Sequence, residues 1–197
     1  RGLWNGTLYM DDDDLDITID LNGHTIRRAL YDFVYYGQVF YINNGKLTIR
    51  DSKGGGKITG GRDNGKFSGA PTEMAGAIHL QNDSVLVLES GAISGNETMR
   101  SGGAVYLNNS STFIMTGGEI SNNKAHGEGD DKTIGKGGGV AVCGDANFFM
   151  SGGVIKDNKA DNLGGGVYVD TDGIVCLTGG HITGNWSKNW WGLARCG

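Results

Sequence analysis

Three groups of residues in this chain have types and spacings suited to chemistry. The first is the acidic run DDDDLD at 11–16. Carboxylate oxygens packed this densely suit a hard cation such as calcium. The run lacks the glycine and ligand spacing of a calcium-binding loop, so its plainer reading is a solvated stretch ahead of the first strand. The second group lies in two insertions, RDNGKFSGAPTEM (62–74) and HGEGDDKTIGK (126–136). Arg62, Asp63, Lys66 and Phe67 in one insertion, with His126, Glu128, Asp130 and Asp131 in the other, offer both charge signs, an imidazole and a ring to a ligand or cation. The third group is His79, Tyr106 and Tyr168, which fall at equivalent places in a repeat. Rings on a flat β surface can stack on sugars, although Tyr is also an ordinary strand residue.

Other chemistries find no pattern here. Asp51, Glu89, Glu119, Asp157, Asp161 and Asp170 are scattered, without the pair of acids about 5–9.5 Å apart that glycoside hydrolysis uses. No two of the four histidines share a place in the repeat, so no metal set emerges. Cys143, Cys176 and Cys196 match no metal or redox spacing.

The elements that must position these groups come from a repeat. Ile93, Ile120, Ile155 and Ile182 are spaced by 27, 35 and 27 residues. Ile78, Val105, Val140 and Val167 repeat the same spacings, always 15 residues ahead of the isoleucines. Ile58 lies 35 before Ile93, and LDITIDLNGHTIRR (15–28) fits as a first, degenerate unit around Ile26. In the unit GGAVYLNNSSTFIMTGGEISNN (102–123), short alternating segments are separated by Gly, Asn and Ser, the residues of tight turns. No segment holds a helical period, and glycine would cost about 1 kcal/mol at each helical position.

Three strands and three turns in 27 residues predict an all-β fold: a single-stranded right-handed parallel β-helix, or solenoid, of about six coils. It forms one domain over 1–197, with an N-terminal cap at 1–14, coils over 15–185 and a C-terminal cap or a next coil at 186–197. Coils stacked about 4.8 Å apart turn equivalent residues into rows. The apolar rows make one continuous core. Asn96, Asn123, Asn158 and Asn185 make a polar row, expected to be a hydrogen-bonded ladder at a turn that tolerates left-handed backbone. The outward row Val87, Ile114, Phe149 and Cys176 needs a cover, from another chain, from a neighbouring domain or, as the favoured option, from ALYDFVYYGQVFY (29–41). Each 35-residue spacing carries eight extra residues at one corner, so two loops should project from the same edge about 10 Å apart. Such insertions often mark the binding edge of a solenoid.

Composition bounds the function. Glycine supplies 37 residues and proline one, as expected for a chain that donates backbone N–H groups along many ladders. A net charge of −5 disfavours a nucleic-acid surface. No apolar run approaches the ~20 residues that span a bilayer. The chain opens at Arg1 without Met or a signal peptide, which fits a mature product or a piece of a larger multidomain protein.

LDITIDLNGHTI at 15–26, followed by repeated GGAV, GGGV and GGxIxxN lines, resembles the pectate-lyase-like superfamily of right-handed β-helices. More narrowly, it is similar to the Gly/Asn-rich β-helix regions of bacterial cell-surface and adhesin proteins. The resemblance implies an extracellular module made for adhesion, for binding a glycan or a host or cell-surface protein, or for service as a rigid stalk; the residues themselves call for no cofactor other than calcium at the acidic run. Enzymes of the superfamily that cleave acidic polysaccharides use a carboxylate cluster for calcium with a nearby Arg or Lys base. No positions here match that set, so a lyase or glycosidase stands as the alternative, with a tailspike-like shaft as a further one.

Overall fold

The computed structural model describes residues 6–67, 70–71, 75–127 and 133–188. Every regular element in them is a β-strand, and no helix is long and apolar enough to cross a membrane. The strands stack into four parallel sheets that the chain visits in turn, level after level. The first sheet holds Leu8–Met10, Phe40–Asn43, Ile78–Gln81, Val105–Leu107, Val140–Val142 and Val167–Val169. The second holds Asp16–Asp20, Lys46–Arg50, Val85–Leu88, Thr112–Met115, Asn147–Met150 and Ile174–Leu177. The third holds Thr25–Arg27, Lys57–Thr59, Ala92–Ser94, Glu119–Ser121, Val154–Lys156 and His181–Thr183. The result is an all-β parallel solenoid.

The fourth sheet was not apparent in the repeat. It consists of two-residue strands: Arg62–Asp63, Glu97–Thr98, Lys124–Ala125, Lys159–Ala160 and Trp186–Ser187. A two-residue strand is too short to show alternation, and its inward members are small or polar: Asp63, Thr98, Ala125 and Ala160.

The rows expected in the core are in register. Ile78, Val105, Val140 and Val167 are Cα partners, as are Leu86, Phe113, Phe148 and Val175. Phe113 and Phe148 are fully buried and stack with centroids 4.9 Å apart. Each side chain of this size contributes roughly 1.5–3 kcal/mol when taken out of water.

The polar row also forms a ladder. The backbone N–H and the side-chain amide of Asn96 both donate to Asn123 Oδ1 at 3.0 Å. Asn123 repeats this toward Asn158, and Asn158 toward Asn185. The left-handed residue sits one place earlier than expected: Gly95, Asn122, Asp157 and Gly184 carry the positive φ. The turn is made there, which frees the ladder asparagine to point inward in ordinary backbone.

Two further expectations change. The segment 29–41 does not cover the outward row of the second sheet. Phe40–Asn43 is itself a first-sheet strand, and Val34 pairs with Asp63 beside the fourth sheet. Phe149 stays 40% exposed. At the ends, the stretch 1–14 supplies Leu8–Met10 to the first sheet. Trp186–Ser187 supplies the last strand of the fourth, and Trp190 and Trp191 lie outside the described residues.

The repeated Gly-Gly pairs mark where each coil closes. A Cβ on Gly103 would lie 2.7 Å from the Lys124 backbone of the same coil and would meet the Gly138 carbonyl of the next. Gly37, Gly76, Gly138 and Gly165 face Arg62, Glu97, Lys159 and Trp186 in the same way. Backbone on both sides leaves nothing flexible to move. Gly103→Ala should therefore destabilise the fold by about 1–3 kcal/mol or more, as overpacking does. Urea unfolding of the variant measures this, and an unchanged midpoint would show that the seam has room.

Candidate functional site

The fourth sheet carries a row of ionisable side chains on its outward face, most of them half-buried. Its outward row is Arg62, Glu97, Lys124, Lys159 and Trp186, in register from coil to coil. His126 and Asp161 follow directly, their backbone N–H groups donating to Thr98 and Ala125. The side chains join across coils into one line of charged groups and an imidazole. An Arg62 guanidinium nitrogen lies 3.1 Å from Glu97 Oε1, and His126 Nε2 lies 2.8 Å from Glu97 Oε2. On the far side, His126 Nδ1 is 3.8 Å from Asp161 Oδ2, and Lys124 Nζ is 3.6 Å from Asp161 Oδ1.

The segment 29–37 is strapped along this line. Val34 donates to the Arg62 carbonyl and accepts from Asn64 N, both at 3.1 Å. Arg62 donates to the Tyr31 carbonyl at 2.7 Å and lies over the Phe33 ring at 5.9 Å. Phe33 meets His126 edge-on, with centroids 5.4 Å apart. Held this way, Tyr31 is 90% exposed and Tyr35 is 44% exposed.

Asp63 anchors the strap from inside. It is 1% exposed, and its two oxygens accept from Gly37 N at 2.8 Å and Gly65 N at 2.6 Å. Burial pushes its carboxyl up to about 6, against those N–H groups and the charges of Arg28 and Arg100. Arg28 is also buried and donates to Thr7 Oγ1 and the Gln38 carbonyl.

Of the insertion residues singled out in the sequence, the structure joins Arg62 and His126 through Glu97. Lys66 and Phe67 pair through their backbones with Pro71 and Ala70 in a small antiparallel hairpin. Glu128, Asp130 and Asp131 lie outside the described residues. Glu97, Lys124 and Phe33 were missed, and Asp161 was set aside among the scattered acids. Row counting carried one residue past the asparagines would have found Glu97 and Lys124. Phe33 had no such signal.

The aromatic row on the first sheet is not a free surface. It runs Tyr9, Tyr41, His79, Tyr106, Ala141 and Tyr168. Tyr41 and His79 stack at 4.8 Å, and His79 and Tyr106 at 5.0 Å. His79 and Tyr106 are each 3% exposed, which removes them as a sugar platform. The chain returning from the fourth sheet runs beside them: Ala75 joins Tyr106, Ala141, Cys143 and Tyr168 in a second apolar cluster. Lys136, at the end of the second insertion, donates to the Tyr168 hydroxyl at 3.2 Å and lies over its ring.

Elsewhere, the acidic run is largely occupied with its neighbours. Asp11 accepts from Tyr9 and Asn43, Asp12 from Asp14 N, and Asp16 pairs with Lys46. Among the described residues no three His, Cys, Asp or Glu side chains are grouped to hold a metal ion. A shallow groove at the corner of the second and third sheets is lined by Asp51, Ser90, Ser94, Glu119, Ser121 and Asn122. Asp51 is committed there to Gly23 N and Gly56 N, and Glu119 to Lys156.

The geometry defines a parallel β-solenoid with a strapped, charge-lined face. Compared with protein-family models, curated proteins and solved structures, the chain matches none of them.

His79 makes a measurable prediction. Neither ring nitrogen makes a hydrogen bond of good geometry, and burial pushes the imidazole down to about 3 against a small opposing effect of the Gln81 side chain. The unfolded chain then takes up a proton that the folded chain refuses. Stability should fall as pH drops from about 6.5 toward 3, by up to about 1.4 kcal/mol per pH unit. Asp63, raised to about 6, works the other way between about 6 and 4. His79→Phe keeps the stack and removes only the first effect. Its urea midpoint should fall less on acidification than that of the wild type, and parallel pH profiles would refute the assignment.

Proposed function

We propose that the chain is a right-handed single-stranded β-helix of about six coils, an extracellular module of a bacterial surface or secreted protein that binds an oligosaccharide on its fourth face. Right-handedness follows from the rule for parallel strand–crossover–strand connections. The observation carrying the binding reading is Tyr31, 90% exposed although its own carbonyl is pinned by Arg62. A ring held out in water by a fixed backbone has lost little further freedom when a ligand stacks on it. Arg62 touches its backbone, and Glu97, His126, Asp161 and Lys159 continue from Arg62 along the same face as donors and acceptors for sugar hydroxyls.

Non-catalytic binding is favoured over hydrolysis by the state of the acids. The carboxyl raised toward neutrality, Asp63, is buried with both oxygens committed. Glu97 and Asp161 are each bridged to cationic neighbours. A shaft that assembles through its second sheet is a second reading, supported by the exposure of Phe149 and Ile174.

A glycan array paired with a polysaccharide-cleavage screen tests the proposal. Tyr31→Ala with Tyr35→Ala should weaken the best glycan about tenfold or more, with no change in melting. Cleavage that is lost on Glu97→Gln or Asp161→Asn would overturn it in favour of an enzyme. Light scattering decides the shaft reading, since a strict monomer rules it out.

A further inference from the structure

Three Asn-Gly pairs lie fully within the described residues: Asn22–Gly23, Asn44–Gly45 and Asn64–Gly65. Asn-Gly is the dipeptide most open to self-modification, because glycine offers no side chain to shield its nitrogen. In that reaction the glycine nitrogen attacks the asparagine side-chain carbonyl carbon and a C–N bond forms. The glycine amide proton leaves, the side-chain nitrogen departs as ammonia, and a succinimide remains. Water then opens the ring at either carbonyl to give Asp or isoAsp, so the net change is uptake of water and loss of ammonia. The step needs the glycine N–H to be free to lose its proton.

The fold treats the three pairs differently. Gly23 N–H is held by Asp51 Oδ1 at 2.7 Å, and Gly65 N–H by Asp63 Oδ1 at 2.6 Å. A proton donated to a carboxylate is the hardest kind to remove. Gly45 N–H has no hydrogen-bond acceptor among the described residues. Its pair also lines an open cavity of about 260 Å³, with Asp13, Asp14, Asp16 and Asp83 in the walls. Water for ring opening reaches it there.

We propose that Asn44 is a site of spontaneous deamidation and that the fold protects Asn22 and Asn64. The change matters locally. It adds a negative charge to a cavity already walled by four aspartates, where the one cation, Lys46, is paired with Asp16 at 2.8 Å. The isoAsp form also inserts a backbone methylene directly ahead of the second-sheet strand Lys46–Arg50.

The test is peptide mapping by mass spectrometry after the folded chain is aged in mildly alkaline buffer. A charge-assisted hydrogen bond is worth at least about tenfold in a rate. Asn44 should therefore convert at least about tenfold faster than Asn22 or Asn64. In denaturant the three rates should converge, because the protecting carboxylates are then out of reach. Equal rates in the folded chain, or the same order with and without denaturant, would overturn the proposal. Asn44→Asp gives an independent reading, since it should lower the melting temperature more at low than at high salt. No salt dependence would remove the claimed charge effect.

Discussion

The fold depends on closure of each coil at a point where two backbones touch. Gly103 lies against Lys124 of its own coil and beneath Gly138 of the next, with no space for a Cβ. Once that contact is made at every level, each strand is fixed one strand spacing above its predecessor. Register is then decided everywhere at once. Phe113 must fall on Phe148, and Asn96 must reach Asn123. A slip of one residue would turn every core side chain outward, so the seam and the apolar rows enforce each other.

That economy leaves little of the chain free for function. Inward residues fill the core, and asparagines close the corner beside it. The chain returning from the fourth sheet toward the seam runs past the outer face of the first sheet, where Tyr106 and His79 are buried, and converts a possible binding surface into a second layer of packing. The fourth face escapes this, because its strands are two residues long and the segment 29–37 can lie alongside them. Polar groups meet there because they stand in adjacent coils: Arg62, Glu97, His126 and Asp161 belong to successive levels of one stack.

The same geometry sorts the buried charges. Asp63 remains inside because two backbone N–H groups and two nearby guanidinium groups offset part of its desolvation. His79, with only the Gln81 side chain acting against its burial, is pushed toward the neutral form between two rings. The carboxylates that hold strap and turn in place, Asp63 and Asp51, also shield the glycine nitrogens of two Asn-Gly pairs.

The sequence by itself determined the strand rows, the core and the asparagine ladder, because a stacked repeat writes spatial neighbours at fixed intervals along the chain. Ile93, Ile120 and Ile155 could be placed over one another by counting. The interruptions of that interval pointed to Arg62 and His126, and counting one residue past the asparagines would have reached Glu97. What counting could not reach was anything outside the period. The strap that brings Phe33 onto His126, the covering of Tyr106, and the carboxylate that holds Gly65 but not Gly45 rest on single contacts between segments of unrelated spacing. Only the tertiary structure decided those, because a loop's path is set by what it packs against, and no interval in the sequence records that.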